Sequence, residues 1–369
     1  MMNVLILSCG TGGGHNAAAH AVEEEMKKRG HRVAMMNPYD LCGEKVAHYV
    51  DSTYVSIAQA SPRGFGAIYA IGNAYRRLPW RSPVYFANSR PAQALEAYLK
   101  ENPTDAVITT HLYPAEMLTN LKNHGVPLPK TFFIATDYTC IPFTEECSLD
   151  AYVIPSPLLC EEFAARGLPT EKIYPFGIPV RSAFSEKIEK SEAKKQMNLE
   201  EGKRYLLVSG GSIGAGNLEK TIELLTALTS GSNFRIIAIC GSNVSVYRHL
   251  ERRFGDGVRL LRSTPNMEWY LKACDLYFTK PGGLSTTEAA VAEVPLALLP
   301  PIPGCESHNF NFFVQNGMAV SAQLYPQEMK NALAFAENTA LQSRMHDAQR
   351  KYIAKNSALR ICELAETIS

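Results

Sequence analysis

The segment Thr279–Asn309, which reads TKPGGLSTTEAAVAEVPLALLPPIPGCESHN, determines the fold that we predict for this chain. It directly follows the apolar run Leu276–Phe278, which is typical of the end of a buried strand. Pro281–Gly283 then breaks regular structure, and Ser285–Thr287 supplies hydroxyl side chains that commonly cap a helix N-terminus. A strand, a glycine turn and a helix N-terminus present unpaired N–H groups and a positive dipole end to a ligand. The segment therefore predicts an anion site suited to a phosphate group.

Acidic and amide residues follow this predicted phosphate site. Glu288 lies just after the predicted cap, where a carboxylate repels a phosphate but suits the diol of a ribose, as in dinucleotide-binding folds. The apolar run Val294–Leu299 predicts another strand, and it leads to a loop that contains Glu306 and Asn309. The alternative interpretation is a plain strand–turn–helix with a capping residue and no ligand.

Two further segments, far apart in the chain, repeat the pattern of strand, glycine turn and helix. Asn3–Ser8 predicts a buried strand, Cys9–His15 (CGTGGGH) a glycine-rich turn, and the next residues a helix that starts near Asn16. Arg204–Ser209 and Gly210–Gly216 repeat the strand and the turn. Two such openings indicate two Rossmann-like halves rather than one larger sheet. A glycine-rich turn does not by itself identify a ligand.

Two motifs resemble those of a known family. The run Lys280–Ala289, KPGGLSTTEA, and the later run Pro301–Phe313, PIPGCESHNFNFF, resemble the nucleotide-sugar site of the monogalactosyldiacylglycerol synthase and processive diacylglycerol glucosyltransferase family. The resemblance extends from about Asn3 to about Ala322. It implies an inverting glycosyltransferase related to the peptidoglycan UDP-N-acetylglucosamine transferase. It also implies two Rossmann-like domains that face each other across a cleft, which is the GT-B fold.

The predicted fold class is α/β with two domains. The length of 369 residues supports this division, because a single hydrophobic core rarely grows so large. Residues 1–185 form the predicted acceptor- and membrane-binding domain, and residues 203–345 form the predicted nucleotide-sugar domain. The charged, helical pattern of residues 186–202 suits an interdomain linker. The resemblance implies that a C-terminal helix, residues 346–369, crosses back to the first domain.

His15 and Asp137 are the predicted catalytic residues. The family's TGGGH motif lies at the cleft, so the resemblance implies that Gly13 and Gly14 border the acceptor and that His15 is the general base. Imidazole suits this role, because its unperturbed pKa of about 6.5 lies near working pH. Asp137 follows a predicted strand and resembles the family's Thr-Asp motif, where it would orient or help to activate the hydroxyl group; a turn cap is the alternative. Many relatives carry a histidine a few residues later, where this chain has Tyr138–Pro142.

The resemblance also assigns roles in donor binding to the second domain. The pyrophosphate would bind the N–H groups around Gly283–Ser285, and Glu288 would bind the ribose. Glu306 and Asn309 would bind the hexose. Cys305 stands where many relatives have glutamine, so the hexose stays open between glucose and galactose. The full predicted set comprises Gly241, Asn243 and Met267 around the uracil base, together with Gly211, Ser212, Gly282, Gly283, Leu284, Ser285, Thr286, Glu288, Glu306 and Asn309.

Residues 52–95 contain no Asp or Glu and are rich in arginine and aromatic residues. They include Arg63, Arg76, Arg77, Arg81 and Arg90, with Phe65, Tyr69, Tyr75, Trp80, Tyr85 and Phe86 interleaved. An anionic membrane attracts such a segment, because the charges draw it to the surface and the rings settle in the interface. The predicted contacts are Arg76, Arg77, Trp80 and Arg81. The alternative is a helix pair packed on the first domain with its arginines reaching outward.

Composition excludes several classes of protein. The net charge of +1 provides no global field for nucleic acid, and no recognition motif accompanies the local basic character. Nine cysteines without a CxxC pair indicate neither a zinc site nor a disulfide framework. No signal peptide is recognisable, and no apolar run reaches the ~20 residues of a membrane-spanning helix. We therefore expect a cytoplasmic protein that is peripheral on the inner face of the cell membrane.

The predicted partners are a UDP-hexose donor and a diacylglycerol or glycolipid acceptor. The sequence contains no Asp-x-Asp motif, so we expect no metal and no other cofactor. The helix dipole and the backbone would then stabilise the leaving UDP. Two alternatives remain open. A transferase for a polyprenyl-lipid or soluble acceptor would differ in residues 52–95, and a nucleotide-sugar epimerase would also have two Rossmann-like domains.

Overall fold

A computed structural model describes residues 1–60, 62–214 and 216–368. Ala215 of the second glycine-rich turn lies outside this description, as do the side chains of Arg63 and Phe65. The chain forms two compact units. Unit 1 comprises Met1–Arg181 and Ala354–Ser369, and unit 2 comprises Ser182–Ile353.

Unit 1 is built on a parallel sheet with the strand order β2-β1-β3-β4-β5-β6. Its strands are β1 (Asn3–Leu7), β2 (Arg32–Met36), β3 (Ala106–Thr109), β4 (Lys130–Ile134), β5 (Ala151–Val153) and β6 (Ile173–Tyr174). In the register, Val4 pairs with Val33 on one side and with Ala106 on the other. The first strand is therefore flanked on both sides, and the loops that follow β1, β3 and β4 meet at one edge of the sheet.

Unit 2 is built on a second parallel sheet, with the order β9-β8-β7-β10-β11-β12. Its strands are β7 (Arg204–Ser209), β8 (Phe234–Ile239), β9 (Val258–Leu261), β10 (Leu276–Thr279), β11 (Leu296–Leu298) and β12 (Val320–Ser321). Counted within the unit, this is the order 3-2-1-4-5-6 of the doubly wound Rossmann fold. The strand order reverses between β7 and β10, and ligands bind such sheets at the carboxyl ends of the strands beside this point.

Helices cover both sheets. Those of unit 1 are α1 (Gly13–Lys28), α2 (Glu44–Ala60), α3 (Pro62–Tyr75), α4 (Pro83–Ala87), α5 (Ser89–Glu101), α6 (Leu112–Asn123), α7 (Cys160–Ala165) and α16 (Ser357–Ile368). Those of unit 2 are α8 (Lys190–Gln196), α9 (Leu218–Leu228), α10 (Val244–Phe254), α11 (Met267–Ala273), α12 (Gly283–Val291), α13 (Cys305–Gln315), α14 (Pro326–Glu337) and α15 (Thr339–Tyr352). Within the described residues, no helix combines the length and the apolar character that crossing a membrane requires.

Two of the predicted helix starts are wrong. α1 begins at Gly13 rather than near Asn16, so His15 lies in its first turn. α12 begins at Gly283 with Gly282 as its N-cap, whereas the sequence pattern placed the cap at Ser285–Thr287. The Thr287 hydroxyl lies inside the helix and donates a hydrogen bond to the Gly283 carbonyl at 2.6 Å. Glycine marks a turn in a sequence pattern, but its freedom also allows a helix to start within that turn.

The predicted linker and the predicted C-terminal helix are not separate parts in the structure, because their residues belong to the two units. Residues 186–202 are part of unit 2, because α8 packs against α11 and the Lys194 ammonium donates to the carbonyl of Lys203 at 2.7 Å. Residues 346–369 contain the end of α15, which belongs to unit 2, and the whole of α16, which belongs to unit 1. The Ile361 side chain of α16 is fully buried in the core of unit 1.

Candidate active site

His15 lies at the carboxyl edge of the unit 1 sheet, in the first turn of α1. Its Nδ1 is 2.8 Å from the carbonyl oxygen of Thr110, after β3, and 3.0 Å from the hydroxyl oxygen of Thr136, after β4. A carbonyl oxygen only accepts hydrogen bonds, so Nδ1 carries the proton of the neutral ring. Nε2 therefore keeps its lone pair, which is the form that a general base requires.

The surroundings of His15 keep this ring neutral. Burial lowers the pKa of His15 below its ordinary value, and the carboxylate of Asp137 and the hydrogen bond to Thr110 oppose part of that effect. Asp137 directly follows Thr136, whose hydroxyl oxygen lies 3.0 Å from Nδ1 of this ring. Gly13 and Gly14, predicted beside the acceptor, form the start of α1 directly before His15.

His111 is a second histidine at this site, and the sequence analysis did not select it. Its ring contacts that of His15 edge-on, with 4.6 Å between the centroids. Its Nδ1 accepts the Tyr113 N–H at 3.1 Å, so Nε2 carries the proton and donates to the Thr11 hydroxyl at 2.9 Å. Burial lowers the pKa of His111 well below its ordinary value, and nearby His15 adds to this. The neutral ring of His111 therefore holds the glycine-rich turn in place through its hydrogen bond to the Thr11 hydroxyl. Its place directly after a buried strand was a signal that could have identified it.

Two glycine-rich loops of unit 2 interlock at the carboxyl ends of β7 and β8. The N–H of Ser242 donates to the carbonyl of Ser212 at 2.8 Å. Gly241 has a positive φ of 65°, and a Cβ atom there would lie 2.5 Å from the carbonyl oxygens of Gly211 and Ser212. The predicted residues Gly211, Ser212 and Gly241 therefore form one tightly packed backbone surface. Asn243 follows this surface and is the N-cap of α10. Its side-chain oxygen accepts a hydrogen bond from the Val246 N–H at 3.0 Å.

Gly241→Ala should destabilise unit 2. The new methyl group would meet two backbone carbonyls in a conformation that L-residues rarely adopt, at a cost of about 1–3 kcal/mol. We expect a thermal unfolding midpoint lower by roughly 4 °C or more. Gly202→Ala is the matched control, because no atom lies within 4 Å of its added Cβ position. Equal unfolding midpoints for the two variants would contradict the packing described here.

The N-terminus of α12 lies next to these loops, at the carboxyl end of β10. Its first residues, Gly283–Ser285, carry the backbone N–H groups that α-helices leave unpaired at their start. The buried side chain of Asn309 donates from Nδ2 to the carbonyl of Pro281 at 3.0 Å, which fixes the turn before the helix. Asn309 thus supports the predicted phosphate site. Glu288 is half-buried in the following turn of α12, and Met267 is the first residue of α11, after β9.

Lys280 is the residue of this site that the sequence analysis missed. Its ammonium group forms an ion pair with Glu306, and the other oxygen of Glu306 accepts the Ile302 N–H at 3.0 Å. Its side chain also lies against the second glycine-rich turn, since a Cβ atom at Gly211 would be 2.8 Å from Lys280 Cε. A half-buried cation therefore lies between two of the predicted phosphate-binding elements. Its position two residues before a glycine pair was the available signal.

The predicted membrane residues do not share one environment. Trp80 is 68% exposed and Arg77 is also exposed, as a surface contact requires. Arg76 is different, because its side chain is only 4% exposed and forms an ion pair with Glu145. Arg81 is half-buried and donates to the backbone carbonyl of Glu146 at 2.6 Å. Arg76 and Arg81 thus bind groups of the protein, whereas Arg77 and Trp80 are the exposed members of the predicted membrane set.

Known proteins resemble this chain in sequence and in structure. A family model described as monogalactosyldiacylglycerol (MGDG) synthase matches residues 15–180. The processive diacylglycerol beta-glucosyltransferase of Bacillus pumilus is 24% identical over 367 residues, which are 98% of this chain and 93% of that protein. The calicheamicin glycosyltransferase CalG4 has a TM-score of 0.65 at 14% identity, with 100% of this chain and 98% of that chain covered. A putative UDP-N-acetylglucosamine 2-epimerase from Listeria monocytogenes has a TM-score of 0.64 at 14% identity, with 98% and 94% covered. The predicted GT-B class of α/β fold is confirmed.

Proposed function

We propose that this chain, a relative of the monogalactosyldiacylglycerol synthases and processive diacylglycerol glucosyltransferases, transfers a hexose from a UDP-sugar to diacylglycerol with inversion at the anomeric carbon. The observation that carries the proposal is the match to a processive diacylglycerol beta-glucosyltransferase over nearly the whole of both chains. The site geometry supports it, because unit 1 supplies a neutral imidazole and unit 2 supplies an anion site. The enzyme is then a hexosyltransferase of glycolipid synthesis.

In the proposed reaction, His15 acts on the acceptor. Its Nε2 accepts the proton of the acceptor hydroxyl while that oxygen forms a bond to the anomeric carbon. The Thr110 carbonyl accepts the Nδ1–H and holds the ring in the required tautomer, and the charge that develops on the imidazolium is stabilised by Asp137. This assigns to Asp137 an electrostatic and orienting role.

Unit 2 binds the donor in the same proposal. The bond between the anomeric carbon and the β-phosphate oxygen breaks, and its electron pair leaves with UDP. The N–H groups at the start of α12 and the ammonium group of Lys280 stabilise the negative charge of the leaving group. Glu288 binds the ribose, and Glu306 binds the hexose with one carboxylate oxygen. No metal is required, because these groups and the dipole of α12 supply the positive potential.

The proposed hexose is glucose, since the B. pumilus relative is named as a beta-glucosyltransferase. The test is a transfer assay with UDP-glucose and UDP-galactose, with diacylglycerol in anionic vesicles as the acceptor. We expect a β-linked glucosyl product, and faster transfer from UDP-galactose would overturn the choice of hexose. If no glycolipid forms from either donor while UDP still binds, the acceptor proposal is wrong. An epimerase, the second candidate, would instead change the UDP-sugar itself without any acceptor.

We also propose that unit 1 contacts an anionic membrane. Large apolar side chains are exposed at several positions along α3 and the segment that follows it, and the described part of residues 52–95 adds exposed arginines. The apolar ones are Ile68, Ile71, Leu78, Trp80 and Phe86, and the arginines are Arg77 and Arg90. Apolar side chains bordered by cations and without acidic residues suit the interface of an anionic bilayer.

Trp80→Ser should weaken vesicle binding by roughly tenfold, because the variant loses the free energy that is gained when the indole side chain moves from water into the membrane interface. Co-sedimentation with vesicles that contain phosphatidylglycerol measures this change. Tyr325→Ser is the matched control, since Tyr325 is an equally exposed aromatic residue of unit 2. If both variants bind vesicles as the wild type does, residues around Trp80 do not form the membrane contact.

A further inference from the structure

The first glycine-rich turn contains one glycine whose backbone conformation does not require glycine. Gly10, the second residue of the turn Cys9–His15, does not have a positive φ. A Cβ atom at Gly10 would nevertheless lie 2.3 Å from Oδ2 and 2.8 Å from Cγ of Asp51 in α2. The three atoms nearest to this Cβ position all belong to the side chain of Asp51. The space that Asp51 occupies is therefore what excludes a side chain at residue 10.

The carboxyl group of Asp51 accepts two hydrogen bonds that hold it against the turn. One comes from the backbone N–H of Gly10. The other comes from Asn37, the residue after β2, whose Nδ2 donates to Oδ2 of Asp51 at 3.0 Å. Oδ1 of Asn37 accepts the Tyr39 N–H at 3.1 Å, so Nδ2 is the end of the amide that faces Asp51. Helix α2 and the end of β2 are thus both joined to the start of the glycine-rich turn.

This arrangement does not favour the stability of unit 1. Oδ1 of Asp51 is buried, and no hydrogen-bond donor in residues 1–60, 62–214 and 216–368 reaches it. Burial raises the pKa of Asp51 above its ordinary value, and the hydrogen bonds from Gly10 and Asn37 oppose part of that effect. A buried oxygen without a partner is unfavourable, and proteins keep such local costs mainly at functional sites. Asp51 therefore calls for a functional explanation.

Asp51 and His111 hold neighbouring residues of the turn from different parts of unit 1. Asp51 belongs to α2 and holds Gly10, whereas His111 follows β3 and holds the Thr11 hydroxyl at 2.9 Å. Helix α1 begins two residues after Thr11, and His15 lies in its first turn. The direction in which the chain enters α1 is therefore set at Gly10 and Thr11, and it decides where the His15 ring lies.

We propose that Asp51 is a positioning residue for the general base. The hydrogen bond that it accepts from Gly10 fixes the glycine-rich turn so that Nε2 of His15 points at the acceptor hydroxyl. The inference rests on the proposed transferase function and adds to it a residue that no sequence motif indicated. Asp51 acts through Gly10 and not on the substrate. Loss of this hydrogen bond leaves the imidazole in place as a base but displaces it, so turnover should fall while donor affinity stays unchanged.

The test compares variants of the full chain in transfer from UDP-glucose to diacylglycerol in vesicles. Asp51→Ala should lower kcat by about 10- to 100-fold, because a base displaced by about 1 Å costs that much, and should leave KM for UDP-glucose unchanged. Asp51→Asn should stay within about threefold of the wild type, because the amide oxygen can still accept the Gly10 N–H. Asp105→Ala is the matched control and should keep the wild-type kcat. Asp105 accepts the N–H of Asn3 at 2.7 Å, at the opposite end of β1.

The thermal unfolding midpoint separates positioning from a loss of structure. Asp51→Ala should unfold within about 2 °C of the wild type, because it loses two hydrogen bonds but also removes a buried oxygen that has no partner. Gly10→Ala should unfold at a lower temperature and transfer as slowly as Asp51→Ala, since its methyl group displaces the carboxyl group. Gly10→Ala combined with Asp51→Ala has room for the methyl group, so it should recover the midpoint but not kcat.

Several results would overturn the inference. They are a wild-type kcat in Asp51→Ala, a kcat of Asp51→Asn as low as that of Asp51→Ala, an effect confined to KM for UDP-glucose, and a midpoint of Asp51→Ala far below that of the wild type. Equal midpoints for Gly10→Ala and the wild type would show that the contact between Gly10 and Asp51 is absent. A wild type that transfers no sugar while UDP still binds overturns the proposed function, whereas the midpoints of the Gly10 variants test the contact independently of transfer.

Discussion

His15→Ala should lower kcat by about 100- to 10,000-fold, because removing a general base typically costs that much. UDP binding should stay unchanged, since His15 lies in unit 1 and the donor site lies in unit 2. His20→Ala is the matched control, because His20 lies in the same helix but its side chain is exposed and contacts Glu23. Steady-state transfer and UDP titration calorimetry measure the two quantities.

The pH profile gives a second test of the same residue. The base must be neutral, and burial keeps the pKa of His15 below its ordinary value. The acidic limb of the kcat/KM profile should therefore lie below the ordinary histidine pKa of about 6.5, with activity falling as the pH drops through it. Unchanged transfer by His15→Ala would assign the base to another group, and Asp137 would be the next residue to substitute.

Lys280→Met should lower kcat/KM by about 100- to 1000-fold, the usual effect of removing one group that stabilises a developing negative charge. The loss should appear in UDP affinity as well as in turnover, because the ammonium group acts on the phosphates of donor and product. Lys220→Met is the control, since Lys220 is an exposed lysine of unit 2 that pairs with Glu223 on the surface of α9.

The ion pair with Glu306 requires one more variant. Without Lys280, the buried carboxylate of Glu306 lacks its counter-ion, so part of any loss could come from local destabilisation. Lys280→Met combined with Glu306→Gln removes that charge. We expect this double variant to recover thermal stability without recovering UDP affinity. Recovery of affinity would show that Lys280 only neutralises Glu306.

Local patterns predicted the parts of the fold that depend on neighbouring residues. The apolar runs Asn3–Ser8 and Leu276–Phe278 predicted the strands that the structure has at Asn3–Leu7 and Leu276–Thr279. The glycines after them predicted the ligand-binding edge of each sheet. These signals are local, because burial on both faces of a parallel sheet selects continuous apolar runs. The predicted Rossmann-like halves follow from two such openings.

The sequence could not predict which side chains pair with each other when they lie far apart in the chain. Arg76 meets Glu145, which lies 69 residues later, and Lys280 meets Glu306, which lies 26 residues later. Nothing in the composition near Arg76 distinguishes it from the exposed Arg77, because the difference depends on which loop packs against each side chain. The position of His111 after a buried strand was visible in the sequence, but its contact with His15 was not, because that contact exists only after two strands have paired.

The division of unit 1 into two chain segments has a consequence for how the protein is made. Its core includes Ile361, Cys362 and Ala365 of α16, and Glu366 of the same helix binds Arg29 through two hydrogen bonds. A ribosome adds these residues only after every residue of unit 2. During synthesis, unit 2 can therefore complete its core first, although unit 1 begins the chain. Until α16 arrives, the apolar face that it covers stays open to water, and a nascent chain stalled in that interval is the form most exposed to aggregation and to chaperone capture.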